Sequence, residues 1–197
     1  MPAIVNHDER RQEIAYAVER LVLKSGMQSV TVRAVGKESG FSAAIVGHYF
    51  HNKEDLLIFT YLSARHRAEA RLERALLADK SLLECLQEIL PINAARKMEW
   101  KVWFGFWGII TNNPQFEEQC HEGLREANSL FKRILKAAIR RGEIPANTNC
   151  DLHADRFSFV INGIASVVLQ APELWPAAAQ ARSLQTEISL IKSNTIT

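Results

Sequence analysis

Between Thr31 and Lys53 the chain carries hydroxyls, a phenol, an imidazole and cations placed to grip phosphate: Thr31, Arg33, His48, Tyr49 and Lys53. Each offers a hydrogen-bond donor or a positive charge to a phosphate oxygen, and such contacts position a protein on a duplex without reading its sequence. Within that bracket, Ser42, Ala43, Ala44 and Ile45 are small or aliphatic. Side chains of that size let a helix approach base edges closely, where Ser42 can hydrogen-bond and Ala44 or Ile45 can meet a thymine methyl. No Arg, Asn or Gln stands there for a bidentate base contact, so phosphates would supply much of the affinity and duplex shape some of the specificity.

A second constellation is aromatic. Trp100, Trp103 and Trp107, with Phe104 and Phe106, fall within eight positions. At about 100° per residue these rings and Ile110 share an arc of roughly 160°, leaving Lys101, Gly105 and Gly108 outside it. Two readings stand: a thick core stripe, or the wall of a cavity for a ligand. Tryptophan faces suit a quaternary ammonium through cation–π attraction, and flat apolar molecules would also fit.

Helices must position both sets, because apolar residues recur at helical spacing almost throughout and nowhere alternate with period two between turn signals. The expected fold is all-α, with about nine helices. Ile14, Val18, Leu21 and Val22 stripe a helix over Asp8–Lys24 that stops at Ser25-Gly26. Thr31 caps a short helix closed by Gly40, Ser42 caps a second through Phe50, and Asn52 caps a long one to Leu77. Gly36, in mid-helix, costs about 1 kcal/mol relative to alanine, a loss offset by close approach of the next helix. Further helices are expected over Ser81–Arg96, Met98–Thr111, Pro114–Arg141, Asp151–Gln170 and Glu173–Lys192, with Pro91 either kinking or ending its helix.

Two short helices meeting at Gly40 have the length and turn of a helix-turn-helix. The segment Thr31–Leu57, with Gly40, Ser42, His48-Tyr49-Phe50 and Lys53-Glu54-Asp55-Leu56-Leu57, resembles the TetR family of repressors. That resemblance implies that the second short helix lies in the major groove, that Tyr49 and Lys53 grip the backbone, and that the protein is a homodimer reading palindromic double-stranded operator DNA. One position departs: the family often has a tyrosine two residues before its aromatic pair, and Gly47 stands here. Ile45–Phe50 and Lys101–Trp107 ahead of Asn113-Pro114 are also similar to the BetI-type, choline-responsive members, which puts choline or another quaternary ammonium among the candidate effectors.

The family pattern divides the chain into a three-helix DNA-binding module, 1–53, joined by the long helix to a ligand-binding and dimerisation domain, 54–197. In the latter, Phe157, Ile161, Ile164, Val168, Leu184 and Ile188 are the candidate dimer residues. By periodicity alone they fit an internal core equally well; the resemblance favours a four-helix interface between copies. Trp100, Trp103, Phe104, Phe106, Trp107 and Ile110 are the candidate effector contacts. The expected function is a ligand-released repressor. A regulator of efflux or catabolism answering to flat apolar ligands is the alternative, and a ligand-binding protein or enzyme on the same fold without DNA activity is another.

Composition narrows the classes further. A formal net charge of +2 over 197 residues creates no global polybasic field. Residues 1–53 hold seven Lys or Arg against five acids, so the excess sits wholly in that segment, beside His7, His48 and His51. Cys85, Cys120 and Cys150 are far apart and odd in number, which argues against a disulfide framework and points to a reducing compartment. No stretch approaches the 18 or so apolar residues of a membrane span, so a cytoplasmic protein with no membrane partner is expected. Cys120-His121 and Cys150 with His153 and Asp155 lack the spacing of a complete metal set. No nucleophile elbow, phosphate-binding glycine loop or Cys-x-x-Cys is present. Neither an enzyme nor a bound cofactor or metal is expected.

Overall fold

The computed structural model describes residues 7–110 and 114–193, of which residues 108–110 and 115 are described by backbone alone. It contains α1 (His7–Ser25), a 3-10 turn (Met27–Ser29), α2 (Val32–Ser39), α3 (Ala43–Tyr49), α4 (Lys53–Leu77), α5 (Leu82–Gln87), α6 (Ala94–Ile110), α7 (Pro114–Arg140), α8 (Cys150–Gln170) and α9 (Ala177–Lys192). No strand occurs among the described residues.

Packing divides the chain into two compact units. One is Met1–His66 with Lys101–Cys120; the other is Arg67–Trp100 with His121–Thr197. Helices α4, α6 and α7 each supply residues to both. In the first unit α1 turns Ile14, Ala15, Ala17 and Val18 inward, and α2 and α3 contribute Val35 and Val46. Tyr61 of α4 packs near Phe106 and Phe116, whose rings stack at 5.6 Å. That ring cluster ties the start of α4 to the end of α6 and the start of α7, while Arg11 over Phe59 and Val22 beside Gly105 join α1 to α4 and α6.

In the second unit α5 and α8 pack against α9 around Leu82, Leu86, Phe157, Ile161, Leu184 and Ile188. Arg71 of α4 grips Glu99 of α6 through two bonds of 2.9 and 2.6 Å. Arg156 of α8 donates to the buried Glu187 of α9 at 2.6 Å. Apolar burial supplies the stabilisation here, while these ion pairs satisfy charges that would be costly to leave buried alone.

Three boundaries differ from expectation. The helix expected over Ser81–Arg96 ends at Gln87, because proline lacks an N–H and bars its predecessor from helical torsions; a new helix starts at Ala94. Asn93 caps it, its Oδ1 accepting from the Arg96 amide at 2.9 Å. The last helix starts at Ala177 rather than Glu173, since Pro172 and Pro176 hold the intervening residues in turns and Pro176 becomes the N-cap. Helix α8 is also long and apolar enough, by length and composition, to cross a membrane, although polar residues interrupt its apolar ones. Seven of its residues, Phe157, Ile161 and Val168 among them, are buried in this unit, which accounts for its apolarity.

Candidate nucleic-acid interface and effector helix

The turn between α2 and α3 is built from hydrogen bonds that the sequence encodes locally. Thr31 Oγ1 accepts from the Ala34 amide and Ser42 Oγ from the Ile45 amide, each at 3.1 Å, so each hydroxyl caps its helix. Both retain an O–H to donate outward. Gly40 closes α2 with φ 78°, the left-handed region that favours glycine. Gly36 is buried, and a Cβ there would lie 2.8 Å from the Phe41 carbonyl oxygen and 3.2 Å from the Ala43 nitrogen. The turn passes directly over that position.

Val46 is the one buried residue of α3. It seats the helix so that Ser42, Ala43, Ala44 and Ile45 are all exposed, Ile45 at 42%. A 42% exposed isoleucine beside two exposed alanines is a surface suited to thymine methyls rather than to water. Thr31, Arg33, His48 and Lys53 are exposed and Tyr49 is half-buried. Asn52 caps α4, accepting from the Asp55 amide at 2.7 Å, and the Asp55 carboxylate in turn accepts from the His51 amide at 3.1 Å. Lys53 thus sits in the first turn of a helix whose end is tied down.

Charge placement favours the same surface. Among the described residues Arg33 and Lys53 form no ion pair. The one acid of α2, Glu38, is engaged by Arg20 at 2.7 Å and Lys24 at 3.2 Å, hydrogen bonds that hold its carboxyl below the usual range. A Cβ on Gly47 would meet nothing within 4 Å, so no packing demands a glycine there. The sequence reading missed one group: His7, Arg10 and Arg11 of α1 lie against aromatic rings at the two ends of α3. Their one-face spacing, i, i+3 and i+4, was the available signal.

Along α6 the aromatic arc meets different surroundings at different heights. Trp100 and Trp103 are buried, and Trp100 Nε1 donates to the Ile89 carbonyl at 2.7 Å. Phe106 is fully buried on Phe116. Phe104 is half-buried and meets Trp107 edge-on at 4.4 Å, while Trp107 is 42% exposed. Of the two readings of the arc, the core stripe describes Trp100, Trp103 and Phe106, while Phe104 and Trp107 keep exposed surface. Trp100 and Trp107 point in nearly the same direction but stand about 10 Å apart along the axis, far enough to meet different neighbours. The Ile110 side chain lies outside the described residues. The glycine face is not a solvent face either: a Cβ on Gly105 would lie 3.2 Å from Val22 Cγ1, so α6 packs closely on α1 there.

Beside this helix the Cys120 thiol is pushed above its ordinary pKa by burial, which a hydrogen bond with Tyr61 opposes. All three cysteines are free, and no metal-binding group of His, Cys, Asp or Glu is found among the described residues.

The candidate dimer residues all lie on inward-facing sides of α8 and α9. Phe157, Ile161, Ile164, Val168, Leu184 and Ile188 are all buried within the chain itself. Helix α8 instead exposes Asp155, Phe159, Gly163 and Val167 at four-residue spacing, with Phe159 74% exposed. Helix α8 thus carries two apolar stripes, and the wider one belongs to the core of the chain itself.

Residues 17–58 match the bacterial regulatory proteins of the tetR family, and residues 78–191 match the C-terminal region of BetI-type transcriptional repressors. The HTH-type transcriptional regulator PksA of Bacillus subtilis is 27% identical over 169 residues, covering 84% of this chain and 81% of that protein. BetI of Serratia proteamaculans is 30% identical over 151 residues, covering 72% of this chain and 76% of that protein. Among solved structures, a transcriptional regulator from Saccharomonospora viridis in complex with choline superposes with a TM-score of 0.79 at 22% identity, over 92% of this chain and 96% of that one. At that identity the likeness is one of fold.

Proposed function

The chain belongs to the TetR family of bacterial regulatory proteins, with a BetI-type C-terminal region, and from that premise we propose that it is a repressor that binds a palindromic operator as a homodimer and is released by a small molecule. Its matched families and relatives are transcriptional regulators rather than enzymes. The observation that carries the DNA-binding reading is α3, whose N-terminal turn is fully exposed while Val46 is its one buried side chain. In a groove, Ser42 to Ile45 face base edges, and Thr31, Arg33, His48, Tyr49 and Lys53 bracket them as phosphate contacts. The exposed ridge of Phe159, Gly163 and Val167 is the face offered to the second copy, since an apolar side chain as exposed as Phe159 gains most from a partner.

The effector is choline or a related quaternary ammonium. This reading is supported by the BetI-type match and by the tryptophans of α6, whose faces attract such cations. Trp107 and Phe104 are the rings with surface to give, whereas Phe106 is spent on the core. Release is a population shift. Ligand on α6 favours one of two arrangements in which the paired recognition helices no longer match successive major grooves, about 34 Å apart. The protein acts in the cytoplasm.

The test is a gel shift with the DNA upstream of the protein's own gene, titrated with choline, betaine aldehyde and a flat apolar dye. Release by choline or the aldehyde is expected. Release by the dye alone refutes the ligand class, and no retained DNA refutes the operator reading.

A further inference from the structure

One turn of α1 reaches both ends of the recognition helix. The Arg10 guanidinium carbon lies 4.9 Å from the ring centre of Phe41, the residue before the Ser42 cap. That of Arg11 lies 5.0 Å from Phe50, the C-cap of α3, and 4.2 Å from Phe59 of α4. The His7 ring lies 4.4 Å from Tyr49. Arg10 also donates to Glu13 of its own helix at 2.9 Å, which occupies one edge of its guanidinium. Arg11 Nε is buried and finds no hydrogen-bond acceptor among the described residues, so ring faces stand where a carboxylate would ordinarily be.

Helix α3 has little else to hold it. It is seven residues long, buries one side chain, and carries open space at Gly47. A helix that short does not persist on its own propensity, so its position is taken from tertiary contacts. Phe41 and Phe50 flank it immediately, and the two adjacent arginines fix one flank each.

The geometry points to Arg10 and Arg11 as positioning residues for DNA recognition, a cation–π clamp from α1 that holds both ends of α3 and sets operator affinity without itself contacting DNA. The inference rests on the reading of α3 as the recognition helix. It explains how a helix with small, weakly bonding base-facing residues keeps a defined pose, and it assigns to α1 a role in recognition that its sequence position does not suggest.

The variants Arg11→Met and Arg10→Met keep a long apolar stem and remove the charge; Arg11→Lys restores a cation. The probe is the duplex that the wild-type chain enriches from a random pool, measured over a salt series, together with amide hydrogen exchange of residues 43–50 in the DNA-free protein. Arg11→Met is expected to weaken binding about tenfold per half-site, about a hundredfold for a palindrome, by removing its cation–π contacts with Phe50 and Phe59. The dependence of log K on log salt is expected to stay unchanged, exchange in α3 to accelerate about tenfold, and Arg11→Lys to recover part of both.

A salt dependence shallower by about 0.9 per half-site makes Arg11 a phosphate contact and overturns the clamp. Unchanged exchange and unchanged affinity per folded molecule overturn it too. If Arg11→Met fails to fold, Arg10→Met and Arg11→Lys decide on the same two readouts, and wild-type exchange in both refutes the proposal. If the wild-type chain enriches no duplex, the DNA-binding reading falls, while the exchange measurement still decides the clamp.

Discussion

Two glycines of the helix-turn-helix, identical in type and both in mid-helix, are expected to respond to alanine with opposite signs. At Gly36 a new Cβ would sit 2.8 Å from the Phe41 carbonyl oxygen, 3.2 Å from the Ala43 nitrogen and 3.3 Å from the Ser42 carbonyl carbon. All three are backbone atoms, so no rotamer change relieves the contact. Nor can the turn retreat freely, because the Gly36 carbonyl accepts from the Gly40 and Phe41 amides, the latter at 2.8 Å. Forcing in a methyl group costs about 1–3 kcal/mol as overpacking, and stretching one of those bonds about 1 kcal/mol more. The gain in helix propensity returns about 1 kcal/mol. Gly36→Ala should therefore destabilise the module by about 1–3 kcal/mol net. At Gly47 a Cβ meets nothing within 4 Å, so only the propensity gain remains and Gly47→Ala should stabilise by about 0.5–1 kcal/mol. Urea titration followed by amide exchange in α2 and α3 reads the module rather than the whole chain. A stabilising Gly36→Ala, or equal effects at the two positions, would show that the turn does not bear on Gly36 as described.

Lys53→Ala should make log K for operator less steep in log salt by about 0.9 per half-site, whereas Tyr49→Phe should weaken binding with the salt dependence kept; an unchanged slope in Lys53→Ala removes Lys53 from the phosphate contacts. Phe159→Asp places a charge on the most exposed ring of α8 and should shift sedimentation toward monomer at micromolar concentration, with no shift excluding this face from the dimer. His153 is 3% exposed, and burial, reinforced by Arg156 and opposed by Glu187, pushes its imidazole below the ordinary value. The unfolded chain then binds the proton first, so stability is complete above the ordinary histidine pKa of about 6.5 and is lost as pH falls below it. Thermal melts of His153→Gln should lose that slope between pH 7 and 5, and a variant that keeps the full slope places its origin elsewhere.

Residue order alone determined the helical class, the two capped short helices and their turn, and the small residues that open α3. These are local facts: Thr31 and Ser42 cap within three residues, Gly40 supplies its own torsion, and a 3.6-residue period is set by neighbours in sequence. Which apolar stripe meets which neighbour was not local. Phe157 and Phe159 are two residues apart and equally apolar, yet one is fully buried and the other 74% exposed, because they point to opposite sides of α8 and only the Phe157 side lies in the core. Trp100 and Trp107 share a direction on α6 and differ in burial. The arginine clamp on Phe41 and Phe50 lay furthest from view, since it joins residues about thirty to forty positions apart in sequence through contacts between separate helices. Burial depends on the element that lies opposite, and only the tertiary structure decides what that element is.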